Sequence, residues 1–373
     1  MSVTSCERSR VRWLRHRGPW RRSSLTITVL ACLGLAVSAC ASAQNSGSGS
    51  SSGSGPDLSY FKGKTITMIA PDNPGGSFDE WSRIIAPAIG KYLGATVNVE
   101  NIPAGNTVVG QNTLASSKPN GLTIGWLNAI EDVSFAISGG GAAGPNFNPA
   151  DMAMIGAPGQ NVMVWVTDPS SSFSTFQSIA GSTRTVDTLD VTSGTADLYA
   201  RSLFGAYGVK SKFITGYESS KLLAAGFLRH DAPVAAEEFT VFQDAIKANE
   251  ARPVLVSNAV SASDAATKSL INVPSIAQMA KQDPPKTAQG KAALQEVLAL
   301  VNLPGNILAA PKGTPSGELA ALQAAAKYAF TSAAVSKQAE TEGLNPGYFS
   351  GAACQSGYKS AQAHISVLKP YMS

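Results

Sequence analysis

The sequence predicts an α/β protein of two domains, each a mostly parallel sheet flanked by helices. Three observations carry that reading. Short apolar runs alternate with helical patterns along the chain, as βα units around largely parallel sheets do. About 315 residues follow a Ser/Gly-rich stretch near the N-terminus, large for one core and natural for two. A strand ending at Asp168-Pro169 marks a crossover between domains, because proline offers no N–H to continue the ladder.

The elements follow in order. Residues 64–70 (KTITMIA) read as a strand, 72–76 as a Pro/Gly turn and 78–93 as a helix. A strand at 95–100, a Gly/Asn turn and a helix near 108–117 repeat the unit. Strands at 122–127, 152–155 and 162–167 complete the first series. The second runs through a strand at 188–192, a helix from 195 to about 207, a strand at 212–215, a helix near 219–228 and a strand at 253–257. The chain returns to the first domain at 306–310 and closes with helices near 316–331, 335–342 and 357–369. The expected first domain is therefore 60–167 with 303–373, and the second is 168–302. Two such domains leave a cleft between them, a usual place for a small ligand.

The N-terminus reads as an export signal. Residues 1–24 carry seven arginines against one acid, and 25–39 (LTITVLACLGLAVSA) hold no charge. That apolar run is shorter than the roughly 20 residues of a membrane span and matches a signal-peptide core. It ends in Val37-Ser38-Ala39-Cys40, which resembles the lipobox of bacterial lipoproteins, with lipid attached at Cys40 and residues 1–39 removed. Residues 40–59, rich in Ser and Gly, are expected to be a flexible tether. The expected location is extracytoplasmic, in the periplasm or at the cell surface, with the lipid holding the protein to the membrane. Whether export follows the general or the twin-arginine route stays open at Arg21-Arg22.

Composition narrows the function. Of 29 basic and 25 acidic side chains, seven and one fall in 1–39, leaving 22 and 24 beyond it. The basic balance thus belongs to the leader, and nucleic-acid binding has no electrostatic support. Cys354 is the one cysteine beyond Cys40, so no internal disulfide is expected, and a buried thiol is the plain reading. Beyond residue 39 the histidines are His230 and His364, with neither ligand spacing nor a cysteine cluster, so neither a metal nor another cofactor is expected. A hydrolase would need a nucleophile linked to a base, and no such motif is present.

Three strand-to-helix turns carry the candidate binding chemistry. In Gly75-Gly76-Ser77-Phe78-Asp79, Ser77 and Glu80 have capping-box spacing, and two glycines permit close approach to a helix N-terminus. In Ala104-Gly105-Asn106-Thr107, Asn106 is the expected N-cap. The third turn is Ser193-Gly194-Thr195. Together they suit an anion, a carboxylate above all. Asp79 reads either as a first-turn acid stabilised by the helix dipole or as a ligand-facing acceptor. Arg201, on the helix after the third turn, is a charge partner or a solvated side chain, and Trp165 is expected to pack in the core or hinge.

The residues 61–67 (FKGKTIT), Pro74-Gly75-Gly76-Ser77-Phe78-Asp79, Val99-Glu100-Asn101 with Pro103, Lys118-Pro119-Asn120-Gly121, Val273-Pro274-Ser275-Ile276 and 309–315 (AAPKGTP) resemble the substrate-binding receptors of tripartite tricarboxylate transporters, the Bug family. The likeness runs in order from about Phe61 to Leu368. It implies a two-domain, type II Venus-flytrap binding protein, not an enzyme, that delivers a small organic carboxylate to membrane permease subunits and acts as a monomer. It places the ligand at Gly75, Gly76, Ser77, Phe78 and Asp79, at Ala104 to Thr107, and at Ser193, Gly194 and Thr195. Two departures stand out. Phe78 replaces a family Thr or Ser, pointing to a smaller pocket or an apolar or aromatic acid. Ala104-Gly105-Asn106-Thr107 replaces a glycine-rich loop, keeping side-chain donors at the expense of backbone freedom. A receptor signalling to a membrane sensor is the alternative, and the ligand's identity is not legible.

Overall fold

The computed structural model describes residues 56–138, 144–160, 162–191, 195–217, 219–260 and 267–372. The leader, Cys40, most of the tether, Ser193 and Gly194 lie outside the described residues. Within them, two mixed sheets form, each with helices on both faces.

The first sheet holds β1 (Thr65–Ala70), β2 (Thr96–Asn101), β3 (Thr123–Asn128), β4 (Ala153–Ala157), β10 (Asn306–Ala310) and β11 (Phe349–Ser350), in the order β11-β4-β10-β3-β1-β2. Strand β1 pairs in parallel with β2 and β3, while β10 runs antiparallel between β3 and β4. The second sheet holds β5 (Met163–Thr167), β6 (Val186–Val191), β7 (Ser211–Tyr217), β8 (Val234–Glu238) and β9 (Arg252–Val256), in the order β7-β6-β8-β5-β9. Here β6 is parallel to β7 and β8, and β5 is the antiparallel insert. Four of six strands in the first sheet and four of five in the second thus share one direction, as expected of a mostly parallel architecture.

Strand β5 pairs with β8 and β9 and belongs to the second sheet. The chain therefore changes sheets at 158–162, upstream of the crossover expected at Asp168-Pro169. The proline follows β5 and ends it without being the point of passage. On the return, β10 begins at Asn306, where the sequence places it.

Strand alternation sorts the core into three clusters. From β1, Ile66, Met68 and Ala70 pack against α1 (Ser77–Leu93) and α10 (Ser316–Phe330), while Ile69 faces the other way. From β5, Val164 and Val166 pack on α6 (Ser220–Leu228) and α7 (Phe239–Lys247), while Met163 and Trp165 face α5 (Thr195–Tyr207). The middle cluster is continuous across both sheets. It joins Leu127 and Ile130 of the first half to Trp165 and Leu203 of the second, through α9 (Ala288–Leu300) and α12 (Gly351–His364). Cys354 is buried there and burial pushes its thiol up to about 12, as expected of an inert core cysteine. Among the described residues no helix is long and apolar enough to cross a membrane.

Candidate functional site

The carboxyl ends of β1, β2 and β3 deliver three turns to one edge of the first sheet, the usual position of a ligand in open α/β folds. The turn after β1 is closed by the chain's own acids. Asp72 accepts hydrogen bonds from the N–H groups of Phe78 (2.9 Å) and Asp79 (3.1 Å), capping α1. Asp79 folds back to accept from the Gly75 N–H at 2.9 Å, and its other oxygen lies 2.7 Å from Arg83 Nη2. The capping box expected from Ser77 and Glu80 does not form: Gly76 is the N-cap and makes no side-chain cap. The Glu80 N–H that Ser77 would cap donates instead to the Gly76 carbonyl, and Asp72 caps the two N–H groups before it.

Gly76 explains how. A Cβ there would lie 2.7 Å from Asp72 Cγ, so only glycine lets the carboxylate swing over the helix end. The close approach expected of a ligand is made by Asp72. Phe78 is also not a pocket residue: it is 5% exposed, with its ring 6.2 Å from Trp126 in the core of the first half. The Trp126 N–H donates to Ser82 Oγ, which donates to the Phe78 carbonyl, so this packing is fully hydrogen-bonded. Asp79, buried against Arg83 and Gly75, takes up the capping alternative and does not face a ligand. Burial raises its carboxyl, but the Arg83 and Gly75 hydrogen bonds outweigh that and hold it below the usual range.

The turn after β2 is built in the opposite way. Gly105, Asn106 and Thr107 take φ of 58°, 50° and 73°, three left-handed residues in succession. Thr107, not Asn106, is the N-cap of α2 (Val108–Ser116), and neither side chain caps it. Left-handed backbone at a β-branched residue costs roughly 1–2 kcal/mol, so something must hold it. Asn106 Nδ2 donates to Glu131 Oε1 at 2.8 Å. Gln111 Nε2 donates to Thr107 Oγ1 (3.0 Å) and to Asp132 Oδ1 (3.1 Å), and its oxygen accepts from the Asn128 N–H. The N–H groups of Gly105, Asn106 and Thr107 are thereby presented with no hydrogen-bond partner among the described residues.

Glu131 and Asp132 sit in the first turn of α3 (Ala129–Ser138), a helix the sequence reading missed because it follows β3 with no Gly or Pro between. Burial pushes Asp132 up to about 8, against the Gln111 hydrogen bond, with the charge of Glu131 adding to it. Glu131 is also raised, by burial first, and the charge of Asp197 on α5 contributes. Asp197 is held by Arg201 Nε, and Arg201 Nη2 lies 3.0 Å from Asp190 of β6. Arg201 is thus partly buried and already engaged: two aspartates bind it and it lies over the Phe213 ring. Thr195 begins α5, the helix that brings Asp197 to the first half.

Between the halves lies a cavity of about 80 Å³, lined by Asn128, Ile130, Gln160, Tyr199, Glu238 and Ser257 beside the two chain crossings. None of the residues singled out from the sequence lines it. Asn128 connects it, through Gln111, to the second turn. Among the described residues no three acidic, histidine or cysteine side chains converge to hold a metal ion.

With two sheets of this order joined by two crossings, the comparison with solved structures is decisive for the fold. A TctC solute-binding protein from Polaromonas, solved without ligand, matches with a TM-score of 0.66 at 17% identity, over 82% of this chain and 97% of that one. The chain has the fold of the TctC and Bug solute-binding proteins. The periplasmic binding protein BugD matches with a TM-score of 0.55 at 16% identity, over 83% of this chain and 97% of its own. MatC from Rhodopseudomonas palustris, solved with bound malate, matches with a TM-score of 0.55 at 15% identity, over 83% and 99%. No family model and no curated protein matches the sequence. In this TctC-like fold, the two turns of the first sheet differ sharply in what they leave open to a ligand.

Proposed function

We propose that this protein is an extracytoplasmic solute receptor, without catalytic activity, that binds a small organic carboxylate between its halves and hands it to a tripartite tricarboxylate-type permease. The observation that carries the reading is the second turn, whose three N–H groups have no hydrogen-bond partner among the described residues. Such backbone donors, backed by the N-terminus of α2, favour an anion. MatC, of the same fold, is described with malate bound, which supports the carboxylate class. On this reading the ligand acid meets Gly105, Asn106 and Thr107, with Ser77 at the edge of the first turn and Ser193, Gly194 and Thr195 from the second half. Closure about the crossings at 158–162 and 301–305 follows to the extent that the closed state binds the ligand better. The receptor is lipid-anchored through Cys40, works as a monomer and needs no cofactor.

The test is calorimetry on the mature lipid-bearing protein in detergent, against mono-, di- and tricarboxylates and aromatic acids. Saturable binding of one acid, weakened at least tenfold by Asn106→Ala, is the expected result. No binding across the panel by a folded protein would overturn the carboxylate reading. Cys40→Ser is expected to move the protein from the membrane fraction to the soluble one.

A further inference from the structure

Two short segments carry the chain between the sheets. One runs from the end of β4 at Ala157 to the start of β5 at Met163, the other from the end of α9 at Leu300 to the start of β10 at Asn306. Any change of angle between the halves turns on these segments, so the groups that grip them decide how they bend. On the first crossing, Asn345 Nδ2 of the first half donates to the Gln160 carbonyl, and a Cβ on Gly159 would collide with the Pro346 carbonyl oxygen. Further along, the Phe239 N–H donates to the Val162 carbonyl at 2.7 Å, and Met163 exchanges two hydrogen bonds with Ser257, at 2.9 and 3.1 Å. The Gln160 backbone thus goes with the first half and Val162 with the second. The second crossing is divided in the same way. The Tyr199 hydroxyl of the second half donates to the Leu300 carbonyl at 3.0 Å, and the Ala129 N–H of the first donates to the Gly305 carbonyl at 2.8 Å.

Asn258 lies across this division. It sits two residues past β9, beside the Ser257 that is stapled to β5, and so belongs to the second half. Its Nδ2 donates to Gln160 Oε1 and to the Val301 carbonyl, each at 2.9 Å. A side-chain amide nitrogen has two hydrogens to give, and here each goes to a different crossing. The Val301 bond joins groups that move with the second half. The Gln160 bond does not, because Asn345 ties the Gln160 backbone to the first half. A turn of one half against the other therefore pulls on the contact between Asn258 and Gln160. Gln160 and Val301 also line the cavity between the halves, so the contact borders the space that such a turn would reshape.

We propose that Asn258 is a positioning residue that clasps the two crossings together and sets the angle between the halves, through a bond to Gln160 that must part before the halves can turn. Because one amide holds both crossings, they move as a pair and the halves swing about one axis. Removing the clasp leaves each crossing held at its own ends and free to bend separately. The use of the clasp rests on the receptor reading above: it fixes how much of the ligand's binding free energy a change of angle takes up.

The experiment measures distances between the halves by double electron–electron resonance on the mature protein in detergent, without ligand. Spin labels go on Tyr328→Cys in the first half and Leu222→Cys in the second, which replace exposed side chains, while Cys354 is buried. Asn258→Ala, Gln160→Ala and the double variant are compared with the labelled parent, and folding is confirmed by circular dichroism. Gln160→Ala is expected to raise the share of molecules outside the parent distance peak about fivefold, the worth of one hydrogen bond. Asn258→Ala should do at least as much, and the double variant no more than Asn258→Ala, since both changes remove the same bond. Should Asn258→Ala fail to fold, Gln160→Ala, which leaves Asn258 bound to Val301, decides alone. A parent-like distribution in Gln160→Ala, or effects that add in the double variant, would overturn the clasp and leave the receptor reading standing. The expected distances in a protein that binds no acid in calorimetry would support the clasp and overturn the receptor reading.

Discussion

The turns after β1 and β2 occupy equivalent places at adjacent strand ends, yet their chemistry is reversed. The first spends its N–H groups internally: Asp72 takes two and Asp79 takes that of Gly75. The second spends side chains, Asn106 on Glu131 and Thr107 on Gln111, to hold three left-handed residues with their N–H groups unpaired. A glycine-rich turn before a helix is thus no anion site unless its donors are free. A turn with fewer glycines keeps its donors free when neighbouring side chains hold it open.

The comparison is broken most directly at Gln111, which links Thr107, Asp132 and Asn128 and is fully buried. Gln111→Ala strands both oxygens of Asp132 and is expected to cost about 2–3 kcal/mol in urea denaturation. An unchanged midpoint would show that the second turn holds itself.

A pH effect tests the same carboxyl. Between the ordinary value of 3.8 and about 8, the folded protein keeps a proton on Asp132 that the unfolded chain has released. Stability should therefore fall as pH rises through that window, by up to about 1.4 kcal/mol per pH unit, and level off above it. Asp79 runs the other way, its contribution present above the ordinary carboxylate range and lost as pH falls through its lowered value. Urea midpoints from pH 5 to 8 should slope less for Asp132→Asn than for the native chain. Parallel slopes would remove Asp132 from the account.

At the first turn the effects are smaller. Asp72→Ala uncaps α1 and is expected to cost about 1 kcal/mol, with Asp72→Asn recovering most of it in thermal melts. Full stability in the alanine variant would mean that water replaces the cap at no cost. Arg83 is 56% exposed, so Arg83→Ala should leave the thermal midpoint nearly unchanged despite its contact with Asp79. A loss as large as that of Asp72→Ala would mark Arg83 as essential to the turn's shape.

Much of the fold is legible in the sequence, because period-2 apolar runs and glycine punctuation survive single-chain reading. Strand β10 and the helix starts at Thr195 and Ser316 fall where patterning puts them. What escaped follows from tertiary context. Strand β8 reads VAAEE, and two acids disguise a strand whose first four residues are buried in mid-sheet. Helix α3 follows β3 without a break signal, which hid Glu131 and Asp132. The S-x-x-E pattern at Ser77 is a local rule, and the N-cap falls one residue earlier at Gly76, with Asp72 capping the Phe78 and Asp79 N–H groups. The positions of the turns were therefore readable, and the state of their donors was not.

The sheet orders carry a consequence for how the chain comes together in time. Every strand of the second sheet lies between Met163 and Val256, a contiguous stretch. In the first sheet β4 pairs with β10 and β11, which begin at Asn306 and Phe349, well over a hundred residues after β4 ends at Ala157, an expensive loop to close before its contacts form. Pulse-labelled hydrogen exchange should show β6 and β8 protected before β4, and the reverse order would contradict this sequence of events. A chain made N-terminus first therefore holds a finished second sheet beside an open first one until its last residues emerge.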